Sequence, residues 1–303
     1  MPAAKQFDVL GMGGVAVDDV IYVSSYPPPD SKTAVVGRHR RCGGLAAIAL
    51  ISAARLGGQC AYAGVLGADE LSLFGLESLS QENINISFVK QTARARPIHS
   101  TIVVDRQRGT RNIFFDVRRV IGARNDVPRD LIGSARVLLI DHLGVNGMIR
   151  AANIARRAGV PVVADFETSD HPRFPELLRL TDHLIVSLSF ARMLTGQQSA
   201  ERVVRTLCNR GHEVVVVTCG NEGCWYMAKG SKAPRHQPAF KVKTVDTTGC
   251  GDVFHGAYAF ALARELSAKE RIQLASAAAG LMAKSGGGIE GIPSLRQVSK
   301  LLK

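Results

Sequence analysis

Six short apolar runs punctuate the chain: FDVLGM (7–12), CAYAGVL (60–66), ARVLLID (135–141), VPVVADF (160–166), HLIVSL (183–188) and EVVVVTC (213–219). Their length and continuity suit strands buried on both faces. Between them lie amphipathic or Ala-rich stretches near 44–57, 70–82, 146–158 and 199–210 that read as helices. Gly57–Gly58, Gly159 and Gly211 close three of these just ahead of the next strand, where a C-terminal glycine cap belongs. Asp69 stands where the 70–82 helix needs an N-cap. Strand and helix alternating in this way predict an α/β fold: a doubly wound, mostly parallel, Rossmann-like sheet with helices on both faces.

Two regions break the rhythm. Residues 20–42 and 98–117 alternate β-branched and aromatic positions with turn residues and hold no helix, and the second reads as a hairpin over DRQRGT. Together they predict a small antiparallel β-lid outside the main sheet. From Gly251 onward the pattern is helical, ending in a helix over 294–302. No repeat or low-complexity linker divides the chain, so residues 1–303 are expected to form a single domain carrying the lid.

Composition narrows the class. Of 303 residues, 46% are hydrophobic and 21% charged, which describes a chain with a substantial core. No apolar run reaches the roughly 18 residues of a membrane span, and the N-terminus lacks a signal-peptide apolar segment. A cytoplasmic protein with no membrane partner is expected. The six cysteines are scattered without metal-ligand spacing and read as reduced thiols.

A formal charge of +12 raises the question of an acidic partner. No zinc finger, RNP-type strand or aromatic-interleaved basic helix supports nucleic acid, so none is expected. Much of the charge falls between Lys90 and Arg129, where ten Lys/Arg face three Asp. Most of these suit a solvated basic face. Some of Arg38, Arg40, Arg41, Arg106, Arg108, Arg111, Arg118 and Arg119, on or beside the lid strands, are candidates to attract an anionic substrate.

Two glycine motifs compete for the chemistry. GMGGVA (11–16) fits the dinucleotide fingerprint GxGxxA, but that motif works only where a helix starts at the glycines. The β-branched VAVDDVIYV follows instead, so the fingerprint fails. DTTGCGD (246–252), by contrast, runs straight into the apolar, Ala-rich VFHGAYAFALA. A helix N-terminus offers unpaired N–H groups and a positive dipole end, and glycines let an anion approach the backbone.

With DTTGCGD, CGGLAA (42–47), VLGADE (65–70) and VTCGNEG (217–223) fall in the order seen in ribokinase-like (PfkB) carbohydrate kinases, and the chain resembles that family over essentially its whole length. The stretch 236–263 is most similar to the sulfofructose kinase branch and more distantly to ketohexokinases. The resemblance implies an ATP-dependent phosphotransferase acting on a hydroxyl of a small, ketose-like sugar or derivative, with a lid that often mediates homodimers. It implies an anion hole of Gly249, Cys250 and Gly251, with Asp252 as general base, its basicity lowered by the helix dipole. Asp18, with Asp19 a close alternative, would bind sugar hydroxyls. Gly43 and Gly44 would pack against the sugar, and Lys32 would contact an anionic group. Ser187, Thr218, Gly220 and Gly223 would border ATP. Asp246, Thr248 and Ser285 would form a monovalent-cation (K+) site, with Mg2+ riding on the nucleotide phosphates.

Three departures qualify this. The Asn-x-x-Glu usual before Leu-Thr-Gly is Ser187-Leu188-Ser189-Phe190, without the outer magnesium carboxylate. The common GGNxxN is Gly43-Gly44-Leu45-Ala46-Ala47-Ile48, without its two amides. Two further sulfonate contacts of the sulfofructose branch fall on Phe115 and Leu143. A nucleoside kinase, with Leu45 and Ile48 flanking a base, and a nucleotide-binding protein with little catalysis remain alternative readings.

Overall fold

The structure is a computed structural model that describes residues 5–116 and 122–303. Val117, Arg118 and Arg119 lie outside the described residues. The largest sheet has eight strands in the spatial order Arg235–Gln237, Cys224–Ala228, Val214–Thr218, His183–Ser187, Val162–Asp165, Ala135–Asp141, Phe7–Gly11 and Cys60–Tyr62. The last six run parallel, while the first two pair antiparallel at one edge. All six apolar runs therefore contribute a strand to this sheet as expected, although CAYAGVL splits, and Gly64–Leu66 pairs instead with Lys90–Gln91 and Gly122–Ala123 in a small separate sheet.

Burial on both faces explains why those runs are continuous rather than alternating. Val214 and Val216 pack into one apolar layer, with the helices Leu45–Arg55, Cys250–Ala263 and Ala268–Lys284. Val215 and Val217 pack into the other, with Val145–Arg157 and Ala200–Cys208. The expected caps form where the glycines require them: Gly57, Gly159 and Gly211 take φ of 94°, 65° and 106°, and the Asp69 carboxylate accepts from the Ser72 amide at 2.9 Å.

Strand order reverses between Ala135–Asp141 and Phe7–Gly11. Such a switch point opens a crevice beyond the C-terminal strand ends, where ligands of open α/β sheets bind. GMGG crosses this crevice, and its glycines serve Asp141 rather than a phosphate. The Asp141 carboxylate accepts from the Gly14 amide at 2.6 Å and from Leu143 at 2.8 Å. A Cβ on Gly13 would overlap that carboxylate. Burial pushes Asp141 up to about 7.

The lid is a four-stranded sheet ordered Gly37–Gly43, Ala16–Val23, Ile98–Asp105, Thr110–Asp116. It starts at Ala16, earlier than the expected 20, and residues 24–36 connect its first two strands without a strand of their own. Both outer pairs are antiparallel, including the hairpin over DRQRGT, but the central pair runs parallel. The cause is connectivity: between those two strands the chain passes through the helices Leu45–Arg55 and Glu70–Gln81, which makes a crossover rather than a hairpin.

Candidate active site

Two helix N-termini meet at the crevice. Leu45–Arg55 starts behind Gly44 (φ 98°) and Cys250–Ala263 behind Gly249 (φ 76°). Positive φ at both positions turns the incoming chain sharply enough to point amide N–H groups outward. The two helices pack so closely that a Cβ on Gly256 would overlap the Ala49 carbonyl, and the Ser52 hydroxyl donates to the Val253 carbonyl at 3.0 Å.

One loop separates two cavities. A cavity of about 550 Å³ under the lid is bordered by Asp18, Gly43, Gly44, Asp246, Thr248, Gly249 and Asp252, with Ile48 at its base. The other, of about 660 Å³, is bordered by Thr218, Gly220, Gly223, Phe240, Cys250 and Gly251. Thr244 and Thr247 border both. The glycine loop is thus a thin wall with Asp252 on the lid side.

Within that loop the amides differ. Cys250 N–H donates to the Thr247 carbonyl at 3.3 Å, whereas the Gly249 and Gly251 amides find no acceptor among the described residues. Burial pushes the Cys250 thiol up to about 11, so it stays neutral.

Asp252 departs from the sequence reading, in which the helix dipole lowers its basicity. Burial and the neighbouring Asp165 push its carboxyl well above the usual range, with Glu167 and Asp141 adding to the push and His255 opposing it. A dipole worth about 0.3–1 kcal/mol at an exposed helix end is outweighed by desolvation inside a cluster of acids.

His255 sits one turn beyond Asp252 and ties the cluster together. Its Nδ1 lies 2.8 Å from the Gly251 carbonyl and its Nε2 3.0 Å from the Ile185 carbonyl. Nδ1 is also 3.1 Å from Asp165 Oδ2. Burial, with Glu167 and Asp141, holds the Asp165 carboxyl well above its usual range. Burial likewise holds His255 below its ordinary value, against the two carbonyls and the acids, which favour a charge on the ring. Neither Asp165 nor His255 stood out in the sequence. The available signals were an acid ending a buried strand (VVAD) and a histidine four residues after the helix-opening glycine.

On the lid side, strand alternation separates two adjacent acids. Asp18 borders the cavity, while Asp19 turns to the opposite face and pairs with Arg40 and His99, each at 2.8 Å. Burial raises Asp18 against opposing effects of Ser100, His99 and Arg41. A Cβ on Gly43 would sit 2.6 Å from Asp18 Oδ2, so only glycine leaves that carboxylate room. Lys32 stands on the exposed connection between the first two lid strands and does not border the cavity.

The remaining expected residues divide. Thr218, Gly220 and Gly223 border the second cavity; Ser187 instead caps the helix Leu188–Thr195, accepting from the Phe190 amide at 3.3 Å. Asp246 Oδ1 accepts from the Thr248 hydroxyl at 2.7 Å and its amide at 2.9 Å. Against its burial, those two contacts and Arg111 hold Asp246 below its ordinary value. Ser285 donates to the Met282 carbonyl at 2.7 Å and borders neither cavity, but Gly287 in the same turn abuts Asp246.

Comparison with known proteins decides the family. Residues 12–295 match the pfkB family carbohydrate kinase model. The chain belongs to that family. It is an enzyme, a phosphotransferase with an alcohol group as acceptor and an ATP-dependent sugar kinase in kind. A mouse ribokinase is 30% identical over 236 residues, covering 73% of this chain and 71% of the relative. A Haemophilus influenzae ribokinase is 26% identical over 305 residues, covering 96% and 97%. Among solved structures, a ribokinase candidate from Agrobacterium tumefaciens superposes with a TM-score of 0.89 at 26% identity over 96% of both chains. Arabidopsis thaliana ribokinase in complex with ribose and ATP gives 0.86 at 24% identity over 97% and 98%.

Phe190, where the resemblance leads one to expect a glutamate, is 2% exposed and packs edge-on to Phe174, which packs in the same manner on Phe166. No cluster of three His, Cys, Asp or Glu side chains able to hold a metal forms among the described residues.

Proposed function

We propose that this kinase transfers the γ-phosphoryl group of ATP to a hydroxyl of a small sugar or sugar derivative held under the lid. One observation carries the reading: a single glycine loop walls off two cavities, with the acid on one side and a nucleotide-sized space on the other. ATP bound in the 660 Å³ cavity would bring its terminal phosphate to the loop, and a hydroxyl held by Asp18 would approach from the lid.

Phosphoryl transfer rests on positioning and charge stabilisation. The free amides of Gly249 and Gly251, at a helix N-terminus, would take up charge on the transferred group, with Cys250 N–H contributing less because Thr247 already engages it. Asp252 would orient the attacking hydroxyl and accept its proton. Its raised basicity suits that task better than an ordinary carboxylate, since a base close to working pH is the more effective one. Magnesium, when bound, neutralises phosphate charge; a ribokinase II candidate from E. coli has been solved with ATP and magnesium. Lacking the usual glutamate, this chain would hold the ion through the nucleotide and water. An ionised Asp246 beside Thr248 and the Gly287 turn fits a monovalent cation, and turnover indifferent to potassium would remove that assignment.

The exposed lid strand Thr110–Asp116 supports association through the lid: Phe114 and Phe115 are 55% and 67% exposed. Sedimentation as a monomer would argue against it.

ADP release from Mg-ATP over a panel of neutral, acidic and phosphorylated sugars, with nucleosides as a separate arm, tests the reading. Turnover on a sugar is expected. Turnover on nucleosides alone would replace it.

A further inference from the structure

Three guanidinium groups reach the lid-side cavity from three different lid elements. Arg41 comes from the strand Gly37–Gly43, Arg106 from the hairpin turn and Arg111 from the strand Thr110–Asp116. Strand alternation sorts them from the rest: Arg40 turns away to Asp19, and Arg38 and Arg108 do not border the cavity. Arg118 and Arg119 lie outside the described residues.

Tyr22 holds two of them in place. Arg106 stacks over its ring with Cζ 5.2 Å from the centroid, and Arg41 Nη2 donates to its hydroxyl at 3.3 Å. Neither arginine forms an ion pair with a carboxylate among the described residues. The acids on the cavity wall are otherwise occupied. Asp105 accepts from the Tyr26 and Arg108 amides, each at 2.9 Å, and closes its own turn. Asp246 pairs with Arg111 at 3.1 Å. Glu290 and Arg41 both lie against Gly288 without forming an ion pair. That leaves Asp252 at the cavity floor and Asp18 on the lid itself, opposite Arg41 in strand register.

The cavity therefore presents two chemistries. The carboxylates of Asp18 and Asp252 accept hydrogen bonds from hydroxyl groups. The guanidiniums only donate, since arginine has no acceptor. A neutral polyol offers such a roof little; Arg106 has no carboxylate partner and Arg41 only the field of Asp18 without an ion pair, so the roof favours an anion. Resting on the kinase reading above, we propose that the acceptor is a sugar bearing an anionic group (carboxylate, phosphate or sulfonate) that Arg41 and Arg106 hold against the lid while its reacting hydroxyl lies at Asp252. Arg111 serves as a third, shared donor through its pairing with Asp246.

The test compares matched acceptors: a neutral sugar, its uronic acid, its phosphate monoester and its sulfonate, with wild type, Arg41→Gln, Arg106→Gln and, as a lid variant off the cavity, Arg38→Gln. Wild type is expected to prefer one of the three acids over the neutral sugar, and which arm wins names the group. Arg41→Gln and Arg106→Gln should each lower kcat/KM for that acid by about 10- to 100-fold, the loss of one charge-assisted hydrogen bond. They should leave the neutral sugar and the KM for ATP almost unchanged, and Arg38→Gln should behave as wild type. Equal losses on neutral and anionic acceptors, or a raised KM for ATP, would overturn the proposal, because the guanidiniums would then serve the fold or the nucleotide. Should wild type turn over no acceptor, the kinase reading fails, and calorimetry of the three acids decides this one alone. Binding to wild type that the two cavity variants lose supports the proposal; no binding of any acid contradicts it.

Discussion

Asp18 and Asp19 adjoin in sequence and meet opposite surroundings. Asp19 is held at about 2, chiefly by Arg40, on the lid's outer face. Asp18, one position earlier, has its basicity raised by burial on the inner face. A strand's two-residue period does this without any difference in residue type. Asp252 extends the point: the same carboxyl chemistry becomes a stronger base because Asp165 lies close and water is excluded. Catalysis needs the ionised form, and the folded carboxyl binds its proton at higher pH than a free one. The acid limb of the kcat profile should therefore lie above the ordinary carboxylate value near 4, activity falling as pH drops through it. An acid limb at or below that value would show that burial and Asp165 do not raise the base.

At the scale of elements, the site depends on how two helices start together. The contact of Gly256 with Ala49 fixes their spacing, and backbone cannot retreat as a side chain can. Gly256→Ala should destabilise the protein by about 1–3 kcal/mol, the usual cost of overpacking a core, seen as a lowered Tm in calorimetry. Activity should fall with it as the two N-termini separate; an unchanged Tm would mean the helices slide freely. Much at this scale was legible in the sequence. All six apolar runs became strands of the main sheet because burial on both faces leaves a continuous signature, CAYAGVL splitting into two strands in different sheets, and the capping glycines and Asp69 carried local rules that nothing overrode. Three short helices, Arg129–Gly133, Phe174–Arg179 and Leu188–Thr195, escaped because their five, six and eight residues are too few for a helical period to emerge. The parallel pairing at the centre of the lid escaped as well, since strand direction follows from where the chain has been rather than from the strand's residues. The glycine loop and Asp252 were legible as a local motif. The Asp165–His255 contact was not, joining a strand end to a helix ninety residues later.

The whole molecule sets a sheet crevice against a lid of opposite character. Acids gather at the floor: Asp141 and Asp165 end adjacent parallel strands, and Asp252 opens the helix above them. Arginines gather on the roof. Part of the chain's excess of positive charge thus has a location and a use, where bulk charge alone pointed only to some acidic partner. Of the lid's exposed phenylalanines, Phe114 shares the outer face with Asp19, while Phe115 shares the face of Asp18. No helix among the described residues is long and apolar enough to cross a membrane.

The central claim is that the two cavities are acceptor and nucleotide sites with Asp252 acting between them. Turnover and nucleotide affinity measured side by side on Asp252→Asn test it most directly. The amide keeps the shape and loses the base, so turnover should fall by about 10²–10⁴-fold while ATP still binds as it does to wild type. Retained turnover, or a loss of activity matched by a loss of ATP affinity, would contradict the account.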